Sequence, residues 1–213
     1  LRDSIPWIIR ILEAMRIPVV RVPGYEADDI QGTVAKMAHT ANEETESYIL
    51  SGDRDLLQLI DDKVTVLLAT NNDTLTMRRD EFYAKYAIEP ELFVDMKALM
   101  GDSSDNIPGV AGVGEKTAAG LIQNFGALEN IYENIDDKRI TKGAREKLLR
   151  DEKNAYLSRD LARIDVHAPV DITLEDIEYK GFDKGGLYRK FSELELNSFI
   201  TKFKLEPEME ELF

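Results

Sequence analysis

Cysteine is absent from this 213-residue chain, and histidine occurs only as His39 and His167. Disulfides and thiolate metal sites are therefore excluded, and two imidazoles are too few for a zinc site built on nitrogen and sulfur. Any metal must be held by oxygen, which points to Mg²⁺ or Mn²⁺. No apolar run approaches the roughly 20 residues that cross a bilayer, and no segment resembles a signal peptide. A cytoplasmic protein without a membrane partner is expected. Positive charge is also scarce, with 27 Lys and Arg against 41 Asp and Glu, a net charge of −14. That balance opposes a nucleic-acid partner, whose phosphates call for a basic footprint. What the chain has in quantity is carboxylate, set in short clusters, and a 43% hydrophobic content, enough for one large domain or two small ones.

The periodicity predicts a helix over residues 3–16, then a β-branched run from Ile17 to Val22 bounded by prolines and read as a strand. Gly24 and Tyr25 turn the chain into a helix with Ile30, Val34 and Met37 on its apolar side. Further strands are expected at Ser47–Leu50 and Val64–Leu68. Alternating strands and helices indicate a parallel sheet, which places functional sites beyond the strand C-termini. After Asn71 the pattern reads as helices only. One begins near Pro90, one runs from Glu115 to Asn124, and a long amphipathic helix is expected over 142–164, with two short helices between Leu187 and Phe203. A boundary near residue 75 divides an α/β part (1–75) from a helical part (76–213).

Seven acids form three clusters: Glu26, Asp28 and Asp29; Asp53 and Asp55; Asp102 and Asp105. Taken singly, each has a plain structural reading. Acids in the first turn of a helix favour its dipole, and Asp residues in turns make Asx-turns. Jointly they suggest more, because all three sets fall at element ends and so much like charge is costly unless cations neutralise it. Phosphodiester hydrolysis uses two divalent ions about 4 Å apart, held by carboxylates from different elements. The third cluster runs into Gly109, Gly112 and Gly114, followed by Glu115, Lys116 and Thr117. This stretch lacks the preceding strand and Gly-Lys-Ser/Thr ending of a nucleotide-binding P-loop. A glycine hairpin between two helices can instead present backbone amides to a nucleic-acid backbone, or it is a tight helix corner without a ligand. Lys142, Arg145, Lys147, Arg150 and Lys153 either extend such a clamp or form a solvated face.

In order and spacing, Tyr25-Glu26-Ala27-Asp28-Asp29, the run Ser51 to Leu59 with Asp53 and Asp55, and the run Gly101 to Thr117 resemble the 5′ nuclease (5′-3′ exonuclease) domain of bacterial DNA polymerase I, of the flap-endonuclease superfamily. The resemblance implies an α/β fold: a PIN-like parallel sheet with helices, followed by a helical half with a helix-hairpin-helix. It implies that Glu26, Asp28, Asp29, Asp53, Asp55, Asp102 and Asp105 hold two or more Mg²⁺ or Mn²⁺ ions and carry the hydrolysis of 5′ flaps and nicks. It assigns DNA contact to the hairpin residues Gly109, Val110, Gly112, Val113 and Gly114, with Lys116 and Thr117 beside them, in some relatives with a monovalent cation such as K⁺. The partners it implies are flapped, nicked or gapped duplex DNA and a covalently linked polymerase domain, in a bacterial, nucleoid-associated setting. Members of this family open with an apolar strand ending in a metal-binding Asp, a basic arch, and a second strand with a further Asp; none of these precedes Leu1. Weak or no cleavage by these 213 residues is therefore expected, and the absent arch would account for the net charge. Arg54 and Gln31 are small departures from the pattern, which usually has lysine and an aliphatic residue there. A non-catalytic DNA-structure binding module and a Toprim-like metal domain are the alternatives, and Toprim leaves Asp102, Asp105 and the hairpin unexplained.

Overall fold

The computed structural model describes residues 4–207. In chain order they form α1 (Ile5–Ala14), α2 (Ala27–Ala41), β1 (Ser47–Ser51), β2 (Val64–Ala69), β3 (Thr74–Met77), α3 (Arg79–Tyr86), α4 (Phe93–Met100), α5 (Glu115–Phe125), α6 (Leu128–Glu133), α7 (Lys142–Arg150), α8 (Glu152–Ala162), α9 (Lys184–Glu193) and α10 (Asn197–Phe203). They divide into two compact units. One is residues 24–168, and the other joins the first 23 residues to those from Pro169 onward.

In the unit 24–168, β1 and β2 pair in parallel from Ser47↔Val64 to Ser51↔Leu68. β3 pairs antiparallel with β2, from Val66↔Met77 to Ala69↔Thr74. β2 lies between the other two and buries Val64, Val66 and Leu68, whereas β1 alternates, burying Ile49 and exposing Tyr48 and Leu50. The core continues through Leu56, Leu57 and Ile60 into an aromatic cluster in which the Phe82 and Phe93 rings meet edge to face at 5.4 Å. Each fully buried side chain of this kind contributes about 1.5–3 kcal/mol. In α4 every residue from Phe93 to Leu99 is buried, Asp95 and Lys97 included. Asp95 is answered by Arg159 of α8 at 3.6 Å, and the same guanidinium pairs with Glu129 of α6. α2 approaches the segment after α8 closely: a Cβ on Gly32 would stand 3.0 Å from the Val166 side chain.

In the other unit, Leu187 and Phe191 of α9 and Leu205 just past α10 are buried, with Ile11 and Ala14 of α1 and the adjoining Met15 packed against them. The Asp183 carboxylate caps α9 by accepting the Gly186 N–H at 3.0 Å.

Three sequence expectations change. The run Ile17–Val22 is not a strand: no strand pairs with it among the described residues, and Pro18 has no N–H for a ladder, so β propensity alone does not form one. The sheet gains β3, and residue 75 lies inside it. The helix expected over 142–164 is two helices, α7 and α8, parted at Asp151 (φ −112°, ψ 21°).

Candidate active site

The first cluster is fixed by the start of α2. The Glu26 N–H donates to one carboxylate oxygen of Asp29 (3.0 Å), and the Asp165 N–H donates to the other (2.8 Å). The Asp29 N–H donates to Asp28 (2.9 Å). Asp29 thus ties α2 to the chain leaving α8, and Thr33 adds a second tie one turn on, accepting the Ala168 N–H at 2.9 Å.

The second cluster follows β1. Asp53 accepts the Asp55 N–H at 2.9 Å, which folds the turn into the short 3₁₀ segment Asp55–Leu59. Gln58 then bridges the turn to the end of α8. Its amide donates to the Asp55 carbonyl (3.0 Å) and the Ala162 carbonyl (2.9 Å) and accepts the Ile164 N–H (3.1 Å).

The third cluster leaves α4 through Gly101 into a loop closed by reciprocal backbone bonds between Asp102 and Ile107, at 2.9 and 2.8 Å. Gly109 returns beneath it at φ +61°, so close that an added Cβ would stand 2.4 Å from the Gly101 nitrogen. No side chain fits there, and this close approach sets where Asp102 and Asp105 stand.

These constraints bring Glu26, Asp28, Asp29, Asp53, Asp55 and Asp105 to one cavity of about 420 Å³, walled also by Ile107, Leu161, Ala162, Arg163 and Ile164. Asp102 does not line it. It lines a smaller space of about 110 Å³ that includes Arg54, Asp55, Lys97 and Glu115. Asp55 belongs to both, and Lys97 couples them: its ammonium is hydrogen-bonded to Asp55 and lies 2.8 Å from Asp102. Lys97 had no role on sequence grounds; its signal was one of two charged residues, with Asp95, within the otherwise apolar run Phe93–Met100.

The electrostatics follow from burial and like charge. Burial pushes Asp28 up, and the charges of Asp29 and Glu26 add to it. Burial also raises Asp55, against the opposing pull of Lys97. Asp102 is held at about 2, chiefly by its hydrogen bond from Lys97 and then by that from Ser104. Asp28 and Asp55, raised by burial and by their acidic neighbours, are in a ground state that a cation would relieve. Among the described residues, no three acids are gathered tightly enough to form a metal-binding group. The donor set is nonetheless all oxygen, and it suits a hard divalent ion in kind.

The hairpin opens the helix α5. The carbonyl of Gly114 accepts the Thr117 and Ala118 N–H groups at 2.9 and 3.0 Å. The amides of Gly114, Glu115 and Lys116, at the helix start, have no partner within the helix. Val110 and Val113 are buried and anchor the turn. Lys116 and Thr117 are exposed on the first turn.

Two family models match the chain: the 5′-3′ exonuclease N-terminal resolvase-like domain over residues 1–87, and the 5′-3′ exonuclease C-terminal SAM fold over residues 88–185. DNA polymerase I of Bacillus caldotenax is 42% identical over 99% of the chain, and that of Lactococcus lactis is 40% identical over 96%. The chain spans 24% of the length of each of these relatives. Among solved structures, T5 5′-exonuclease with bound zinc superposes with a TM-score of 0.59 over 81% of this chain and 60% of its own, at 24% identity. The catalytic core of Rad2 in complex with DNA superposes with a TM-score of 0.62 over 95% of this chain and 70% of its own, at 16% identity. The fold is that of the flap nucleases, and the chain belongs to the 5′-3′ exonuclease family.

Proposed function

We propose that this chain supplies the metal-holding and DNA-gripping parts of a structure-specific 5′ nuclease that hydrolyses phosphodiester bonds at 5′ flaps and nicks. The observation that carries this reading is the convergence of six carboxylates, from three separate stretches of chain, on one cavity. Glu26, Asp28, Asp29, Asp53, Asp55 and Asp105 would hold Mg²⁺ or Mn²⁺ there, with Asp102 reached through Asp55 and Lys97. Bound divalent ions supply an acidified water and compensation for charge on the phosphoryl oxygens. The chain's own residues set the stage for this. Gln58 and Asp29 hold the cavity walls together, Lys97 fixes Asp55 and Asp102, and the hairpin amides with Lys116 and Thr117 grip the duplex backbone. K⁺ is proposed as a further ion at the hairpin, where the Gly112 carbonyl already accepts from Lys147. The rest of the longer protein is proposed to include a linked polymerase domain, and the setting is proposed to be the bacterial cytoplasm.

The test is cleavage of a 5′-labelled flap on a nicked duplex with Mg²⁺ or Mn²⁺, by this chain and by a longer one carrying its native upstream residues. Cleavage is expected chiefly from the longer form, and Asp53→Ala or Asp102→Ala in it should cut the rate by at least about 100-fold, on the scale of losing a principal charge-stabilising group, with DNA binding kept. DNA binding without cleavage by either chain would favour a DNA-structure binding module instead.

A further inference from the structure

The hairpin is held from one side by the junction of α7 and α8. The Gly109 N–H donates to the hydroxyl of Ser158, which is fully buried, at 2.9 Å. The Ala111 N–H donates to the Asp151 carboxylate at 2.9 Å. The Ala111 carbonyl accepts from Arg150 at 3.0 Å, and the Gly112 carbonyl accepts from Lys147 at 2.8 Å. Lys147 also lies against the backbone of Gly112, where a Cβ would stand 3.2 Å from its nitrogen. Arg150 and Asp151 pair with each other at 2.6 Å.

A backbone loop alternates donors and acceptors, and only its donors attract a phosphodiester. Its carbonyls repel one unless they are turned away and occupied. Here two basic side chains occupy the carbonyls of Ala111 and Gly112, and the break between α7 and α8 puts Asp151 where it can fix the Ala111 N–H just before them. We propose that Lys147, Arg150 and Asp151 are positioning residues for DNA recognition, acting on the hairpin backbone and not on DNA phosphates. This rests on the reading that the hairpin grips DNA.

Asp151 gives a test whose sign separates this idea from simple electrostatics. Removing a carboxylate from a protein of charge −14 should, on charge alone, tighten binding to DNA. The positioning role demands the reverse. The affinity of the 213-residue chain for a fluorescent nicked duplex would be measured with Ca²⁺ as the divalent ion. Asp151→Ala is expected to weaken binding about 10-fold, the scale of one lost hydrogen bond. Asp151→Asn, which keeps an acceptor for the Ala111 N–H, should recover most of it. Equal or tighter binding by Asp151→Ala overturns the inference alone, while no binding by the unmodified chain overturns the hairpin reading with it. Where Asp151→Ala does not fold, Lys147→Met carries the test. Weaker binding with an unchanged salt slope supports the positioning role, and a slope reduced by about 1 marks a direct phosphate contact and overturns it.

Discussion

A lysine side chain that is only 2% exposed needs a strong reason to remain charged, and Lys97 has two: Asp55 and Asp102. Burial works against its charge, but the bonds to Asp102 and Asp55 prevail and its pKa is raised. Replacing it with methionine keeps the volume and leaves both acids without their counter-ion. Lys97→Met is expected to lose about 3 kcal/mol at neutral pH, the usual scale for breaking a buried pair. Urea unfolding at unchanged slope would show it, and a loss below about 1 kcal/mol would mean that solvent already serves these carboxylates. The pH dependence has a definite sign. Asp102 sits at about 2 in the folded chain, below its ordinary 3.8, so its contribution is complete above that ordinary value and disappears as pH falls toward 2. With a chelator present, this group should account for about 1–2 kcal/mol lost across that window after allowance for its partial exposure. Lys97→Met should lack most of that component.

Among the elements, the hairpin depends most on two backbones meeting. Gly109→Ala would press a methyl to 2.4 Å from the Gly101 nitrogen and 2.7 Å from its Cα, at a φ of +61°. Backbone cannot yield as a side chain can, so a loss of about 3 kcal/mol or more is expected, with displacement of the Asp102 loop. Gly114→Ala meets nothing within 4 Å and should leave the melting temperature nearly unchanged. Equal effects in the two variants would contradict the close approach. This loop was legible in the sequence because glycine spacing and adjacent acids are local signals. The partition of α7 from α8 was not, since the run 142–164 is amphipathic throughout and the break at Asp151 goes with a bond to the Ala111 N–H, from a distant part of the chain. The failed strand at Ile17–Val22 and the overlooked β3 share a cause: strand formation is settled by a pairing partner, which propensity does not reveal. The acid clusters were legible as clusters. That Asp102 stands apart, with Lys97 between it and the cavity, depends on how α4 packs and has no sequence spacing to betray it.

At the scale of the whole chain, every residue of the carboxylate cavity, the Lys97 bridge and the hairpin lies within the unit 24–168. That unit has its own sheet, a continuous core and the size of an ordinary domain. A fragment of residues 24–168 is therefore expected to fold and unfold cooperatively without the other unit. It should also keep the response of the acid cluster to divalent ions. General screening of negative charge would raise its melting temperature with any salt, to an extent set by ionic strength alone. Ion binding to the cavity acts differently: the gain grows as RT ln(1 + [L]/Kd) with the divalent ion itself, exceeds that of other salts at equal ionic strength, and depends on particular acids. Mn²⁺ or Mg²⁺ at millimolar levels should raise the melting temperature of the fragment by several degrees over NaCl of equal ionic strength, on the scale of about 1–2 kcal/mol for a domain of this size. Asp53→Ala and Asp105→Ala should erase most of that difference, while removal of the exposed acids Asp61 and Asp62, which line a separate space with Glu46, Lys63 and Arg79 and not this cavity, should not. A divalent effect equal in all four variants would show that the cavity screens charge without binding an ion, and the carboxylates would then have to be read as capping and turn residues.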